Sequence, residues 1–242
     1  MLHPKLHGRR KGRPLRPGLR RLLQEHLPRV ELRLPDSGEL DPSVAFDKGP
    51  RAVWLEIGFG GGEHLAWQAG QSPEVGMIGC EVFENGVATL VRALEAEALA
   101  NVRIFTSDAR VLLERLRPES LARAFLLFPD PWPKRRHAAR RFLQRETLDL
   151  LADALCDGAE FRAASDDPKM QAWMLSRLLN HPAFIWTAAS AADALARGDD
   201  WPPTRYEAKA LAEGRRPIYL RFRRRPRAHS DAARRQDATL AS

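Results

Sequence analysis

The sequence predicts a doubly wound α/β fold: a mostly parallel sheet of seven strands with an antiparallel last strand, preceded by a basic N-terminal extension. Three observations carry this. Apolar strand-like runs alternate with helical stripes from Val53 to Leu155, the pattern of a parallel sheet covered on both faces. A glycine-rich turn joins the first strand of that series to its first helix. The strands end in single acidic residues, Glu56, Glu81, Asp108 and Asp130, as strands feeding one crevice do.

The elements follow in order. Residues 1–48 are rich in Pro, Gly and Arg and read as a basic, partly ordered arm with one helical candidate at Gly18–Leu27. Ala52–Gly70, "AVWLEIGFGGGEHLAWQAG", reads as strand, glycine turn and helix, and Gly76–Phe83 as a second buried strand. Val87, Leu90, Val91, Leu94 and Ala98 then recur at helical spacing. "NVRIFTSDA" is a third strand, "VLLERL" a helix, "ARAFLLFPD" a fourth strand and "FLQRETLDLLADAL" a helix. "GAEFRAASDD" supplies a fifth strand, "KMQAWMLSRLLN" a helix, "AFIWTAA" a sixth strand and "PIYLRFRRR" the antiparallel last one. Residues 226–242 lose apolar character and read as a disordered tail, which leaves 49–225 as one folded domain.

Composition narrows the function. No run approaches the ~18 apolar residues of a membrane span, so a membrane protein is excluded. Cys80 and Cys156 both fall in apolar segments and suit small buried hydrophobes; their spacing fits neither a disulfide framework nor a metal site. The N-terminus lacks the apolar region of a secretory signal, so the expected residence is cytoplasmic. Against 31 Asp+Glu stand 39 Lys+Arg, a net charge of +8 concentrated as arginine in a few blocks. Such blocks suit a polyanionic partner, because neutralising phosphates releases counterions.

In "LEIGFGGGEHL", Gly58, Gly60, Gly61 and Gly62 sit between a strand and a helix N-terminus, where a ligand can approach the backbone amides. Glu81 follows close to the ~20-residue offset at which a carboxylate meets ribose hydroxyls. Glu56, just before the turn, repels a pyrophosphate but suits a cationic amino group, and "GFGGG" departs from the spaced glycines of dinucleotide binders. S-adenosyl-L-methionine has the ribose, the ammonium and no phosphate. Asp108 has two readings: a hydrogen-bond acceptor for the adenine amine, or the cap of the following helix.

"FPDPWPKRRHAARR", Phe128 to Arg141, places Asp130 and Trp132 at the end of the fourth strand, beside the switch point of the sheet. A carboxylate there can stabilise positive charge on a base, and Trp132 offers a stacking face or simply core packing. Lys134–Arg145 and the arginines from Arg215 to Arg227 are the candidates for holding RNA phosphates, with a solvated helix face as the alternative for the first group.

That string, with "LEIGFGGGEHL", "GCEVFENGV" and "PPTRYEAKALAEG", resembles the bacterial-type tRNA (guanine-N7-)-methyltransferases over roughly Trp54 to Phe222. The resemblance implies a class I S-adenosylmethionine-dependent methyltransferase sheet and 7-methylguanosine at position 46 of the tRNA variable loop. It implies cofactor contacts from Glu56, Gly58, Gly60, Glu81, Asp108 and Asp130, with Asp130 also catalytic. It implies substrate contacts from Lys134, Asp166, Thr204, Arg205, Tyr206 and Glu207, tRNA as partner, no metal, and an oligomeric state open between monomer and homodimer. The chain departs from the family pattern at Asp167, at Trp201 and at Arg215.

Guanine N7 carries an in-plane lone pair and no proton, so methyl transfer to it needs positioning and electrostatics rather than a general base. Three rival readings stand against this one. A nicotinamide-dependent oxidoreductase is disfavoured by Glu56, a non-catalytic RNA-binding module by the intact acidic strand ends, and an amino methyltransferase is separated only by the identity of its product.

Overall fold

The computed structural model describes residues 10–227. Its strands are β1 (Ala52–Ile57), β2 (Val75–Cys80), β3 (Val102–Phe105), β4 (Leu121–Leu127), β5 (Leu155–Ser165), β6 (Phe184–Trp186) and β7 (Ile218–Arg224). Its helices are α1 (Pro17–Val30), α2 (Glu63–Gln71), α3 (Glu84–Ala96), α4 (Ala109–Leu113), α5 (Arg145–Ala154), α6 (Pro168–Leu179) and α7 (Arg205–Ala212).

The strands form one sheet in the order β3-β2-β1-β4-β5-β7-β6. The pairs β1–β2, β1–β4, β2–β3 and β4–β5 are parallel, while β7 runs antiparallel to both β5 and β6. The last strand is therefore inserted between β5 and β6 rather than laid on the edge. Apolar side chains on one face of the sheet pack with Leu23 of α1, Leu65 of α2 and Leu90 of α3. On the other face they pack with Leu112 of α4, Leu148 of α5 and Met174 of α6. The double covering explains why β2, "VGMIGC", is buried at every residue and shows no alternation.

Several boundaries differ from the sequence reading. Pro17 starts α1 at a position where its missing N–H costs nothing, so the helix is longer than Gly18–Leu27. The basic run is not a continuous helix face: a 3-10 turn spans Arg135–Arg140, and α5 begins only at Arg145. Helix α7 was not anticipated. Cys80 is buried, whereas Cys156 is only half-buried at the start of β5. Most of the expected tail, 228–242, lies outside the described residues, as do residues 1–9 of the arm. Among the described residues, no helix is long and apolar enough to cross a membrane, and no group of His, Cys, Asp and Glu is placed to hold a metal ion.

Candidate active site

A cleft of about 390 Å³ opens at the carboxyl ends of β1 to β4. Because β1 pairs with β2 on one side and β4 on the other, the chain winds outward in both directions from this point, which leaves a crevice above it. Glu56, Gly58, Gly60, Glu81, Asp108 and Asp130 all line it, as do Thr204 and Tyr206.

The glycine turn takes left-handed backbone, with φ of 71° at Gly58, 57° at Gly60 and 81° at Gly62. L side chains adopt that region only with strain. A methyl at Gly86 would stand 2.1 Å from the Gly60 carbonyl oxygen, so the start of α3 lies directly against the turn. Glu81 fastens the same turn. Its Oε2 accepts from Gly60 N at 2.8 Å, and its Oε1 accepts from Val82 N at 2.7 Å and Phe83 N at 2.9 Å. Burial nevertheless pushes the Glu81 carboxyl above its ordinary value against these donors, and the charge of Asp130 acts in the same direction. The Cys80 thiol is pushed up too, by burial first and then by Asp108 and Glu81. Glu81, Asp108 and Asp130 thus line one cleft close enough for their charges to act on its other groups.

Glu56 is 2% exposed and receives a hydrogen bond from His64 Nδ1 at 2.7 Å. His64 also lines the cleft and was missed from sequence. The available signal was a histidine in the first turn of the helix that follows the glycines. Asp108 caps α4, accepting from Arg110 N at 2.9 Å, and is gripped by the Arg110 guanidinium, with Nη2 to Oδ2 at 2.9 Å. The capping role therefore holds, at a position that also lines the cleft.

The loop carrying Asp130 is strained on both sides. Phe128 has φ 49° and Trp132 has φ 45°, both left-handed and both preceding a proline, which keeps them out of the right-handed helical region. Phe128 N is bonded to the Ala164 carbonyl at 2.8 Å, and the Arg140 guanidinium lies 4.9 Å from the centre of the Trp132 ring. Asp130 itself is exposed to the cleft.

The residues expected to meet substrate divide. Thr204 and Tyr206 reach the cleft, and Tyr206 approaches within 3.0 Å of where a Gly60 side chain would begin. Arg205 is not itself part of the lining but reaches Glu63, which is, at 3.4 Å. Glu207 is buried; it closes a capping box with Thr204 at the start of α7 and accepts from the Tyr219 hydroxyl at 2.5 Å. Burial and that carboxylate together push the Tyr219 phenol upward. Asp166 is paired with Arg215 at 2.7 Å, and Lys134 is exposed beyond Trp132. Two of the departures have structural duties: Asp167 caps α6, and Trp201 is buried at 2%.

The expected phosphate surface shrinks. Arg141 is buried, Arg215 is paired with Asp166, and Arg224 and Arg227 are tied to Asp157.

A sheet of this order, with a glycine turn after its first strand and acids at the strand ends, defines a class I methyltransferase. Solved structures share the fold: an rRNA methylase from Streptococcus thermophilus, at TM-score 0.50 and 14% identity over 72% of this chain and 87% of that one. The 16S rRNA methyltransferase KamB matches at TM-score 0.50 and 17% identity over 73% and 89%. A family model described as "Putative methyltransferase" matches residues 50–220. The tRNA (guanine-N(7)-)-methyltransferase of Rhodospirillum rubrum is 51% identical over 227 residues, covering 93% of this chain and 89% of its own. That of Paramagnetospirillum magneticum is 50% identical over 226 residues, covering 93% and 94%. The chain belongs to the tRNA (guanine-N(7)-)-methyltransferase family.

Proposed function

We propose that this protein transfers a methyl group from S-adenosyl-L-methionine to N7 of a guanine in tRNA, the variable-loop guanine at position 46, giving 7-methylguanosine. The observation that carries the reading is Asp130, held between two left-handed residues and opening into the same cleft as Glu56 and Glu81. The relatives' activity supplies the chemistry, and the cleft suits it: buried carboxylates face a ligand that is cationic, and the glycine turn lets the backbone come close.

Glu56, Gly58, Gly60, Glu81, Asp108 and Asp130 hold the cofactor. When bound it supplies a methyl group activated on a sulfonium. Asp130 then stabilises the positive charge that the purine gains, with no proton to remove. Thr204 and Tyr206 meet the substrate at the cleft, Lys134, Asp166 and Arg205 meet it around the rim, and Glu207 sets Thr204 from beneath. The catalytic unit is 49–225, residues 1–48 form a basic arm, and the enzyme works in the cytoplasm. The base must leave its tertiary contacts to reach Asp130, at a cost of a few kcal/mol by analogy with base flipping.

The test is incubation with labelled S-adenosylmethionine and unmodified tRNA, followed by digestion and identification of the methylated nucleoside. The expected product is 7-methylguanosine, lost when the variable-loop guanine is replaced. A methyl on another atom, or no transfer, overturns the reading.

A further inference from the structure

The proton between Glu56 and His64 has an assignable place. Gln68 Nε2 lies 2.8 Å from the Asp200 carbonyl oxygen and 3.2 Å from His64 Nε2. Facing a carbonyl oxygen, the Gln68 amide must present its nitrogen, because that nitrogen only donates and the amide oxygen only accepts. Its second hydrogen is then directed at His64 Nε2, which must accept. The imidazole proton therefore sits on Nδ1 and is donated to Glu56 Oε2 at 2.7 Å.

We propose that this relay, from the Asp200 carbonyl through Gln68 and His64 to Glu56, holds His64 as the neutral Nδ1–H tautomer and so keeps Glu56 a full anion for the cationic cofactor. His64 and Gln68 are positioning residues. Because the Gln68 amide donates to Nε2, a second ring proton there would set two N–H groups head to head. Residues 64 and 68 lie on the same face of α2 one turn apart, so a single helix carries both.

The far end of the relay is anchored. Arg162, itself 2% exposed, binds the Asp200 carboxylate at 2.5 Å. Trp201, the next residue, is buried with its ring centre 6.2 Å from that of His64, and the His64 and Phe125 rings meet edge to face with centres 4.7 Å apart. The same stretch runs on to Thr204 and Tyr206 at the cleft. The relay thus joins the cofactor wall to the segment that meets substrate. The identity of the cation rests on the proposed function; the proton placement does not.

The test is nitrogen NMR of the histidine-labelled full chain. His64 is expected with Nδ1 protonated and Nε2 bare at neutral pH, and an Nε2-protonated or doubly protonated ring overturns the proposal. Gln68→Met keeps volume and removes the donor. It is expected to disturb the His64 signal and to weaken S-adenosylmethionine binding by calorimetry about tenfold, with kcat at saturating cofactor within about twofold. An unchanged signal with unchanged affinity overturns the positioning role, and the native spectrum decides the tautomer even if the variant folds poorly. A correct tautomer in a protein that methylates no tRNA would overturn the functional reading and leave the relay standing.

Discussion

The guanidinium of Arg141 donates to the backbone carbonyl of Trp132 at 3.2 Å from a site only 8% exposed. It also donates to the Pro131 carbonyl at 3.1 Å and lies over the Trp173 ring at 4.7 Å. A residue in the middle of a basic run is thus a brace for the loop that carries Asp130. Left-handed backbone at a non-glycine residue costs of order 1–3 kcal/mol, so Trp132 needs such a brace to stay where it is. Arg141→Met should destabilise the fold by about 2 kcal/mol, since two carbonyls lose a charged donor, and lower kcat about tenfold. Thermal unfolding and single-turnover rates measure both. Arg92→Ala, at an exposed position on α3, should change neither; unaltered turnover in Arg141→Met would mean the loop holds Asp130 unaided.

Asp130→Asn conserves shape while removing the charge. If the carboxylate acts on the positive charge developing in the purine, turnover should fall by about 100-fold or more while cofactor affinity stays within about tenfold. Calorimetry with S-adenosylmethionine and single-turnover kinetics separate the two, and near-normal turnover removes Asp130 from the chemistry.

Gly86→Ala tests the contact between α3 and the glycine turn. The added methyl would meet the Gly60 carbonyl oxygen at 2.1 Å, and a backbone oxygen cannot yield as the end of a flexible side chain can. The expected loss is about 2 kcal/mol of stability, together with weaker cofactor binding as the turn is pushed into the cleft. Gly18→Ala is the control: nothing lies within 4 Å of its methyl, and helix α1 should be unharmed or slightly stabilised. Equal melting temperatures for the two variants would show that the turn moves freely.

What the sequence carried was local and periodic. The alternation of strand and helix, the glycine turn and the acidic strand ends are each written in a few adjacent residues, and they led to the cleft. What it hid depends on distant partners. Nothing in "PIYLRFRRR" says that β7 enters between β5 and β6, because strand order is set by packing across the whole chain. Arg141 looks like its neighbours until its carbonyl partners are seen. Gln68 becomes meaningful only when the Asp200 carbonyl, far along the chain, meets it. Helix α7 was legible in principle: Thr204 and Glu207 stand three apart, the spacing of a capping box, and that signal accounts for the burial of Glu207.

Glu81 provides a prediction in pH. Its carboxyl is raised from 4.5, by burial above all, despite its three backbone donors. A carboxyl that holds its proton more tightly in the folded chain favours the fold fully below the unfolded value, near 4.5, and loses that contribution as pH rises through the folded value. A cationic ligand favours the ionised form and pulls the value back down. Binding of S-adenosylmethionine should therefore release a proton just above that range, and affinity should grow with pH until Glu81 is ionised in the free protein, then level off. Calorimetry in buffers of differing ionisation heat counts the protons. Glu81→Gln should abolish the rise and cost about tenfold in affinity at neutral pH, the loss expected when a charged acceptor becomes neutral. A native protein whose affinity is flat across the window would place Glu81 away from the cofactor, and its hydrogen bonds to Gly60, Val82 and Phe83 would then be its whole role.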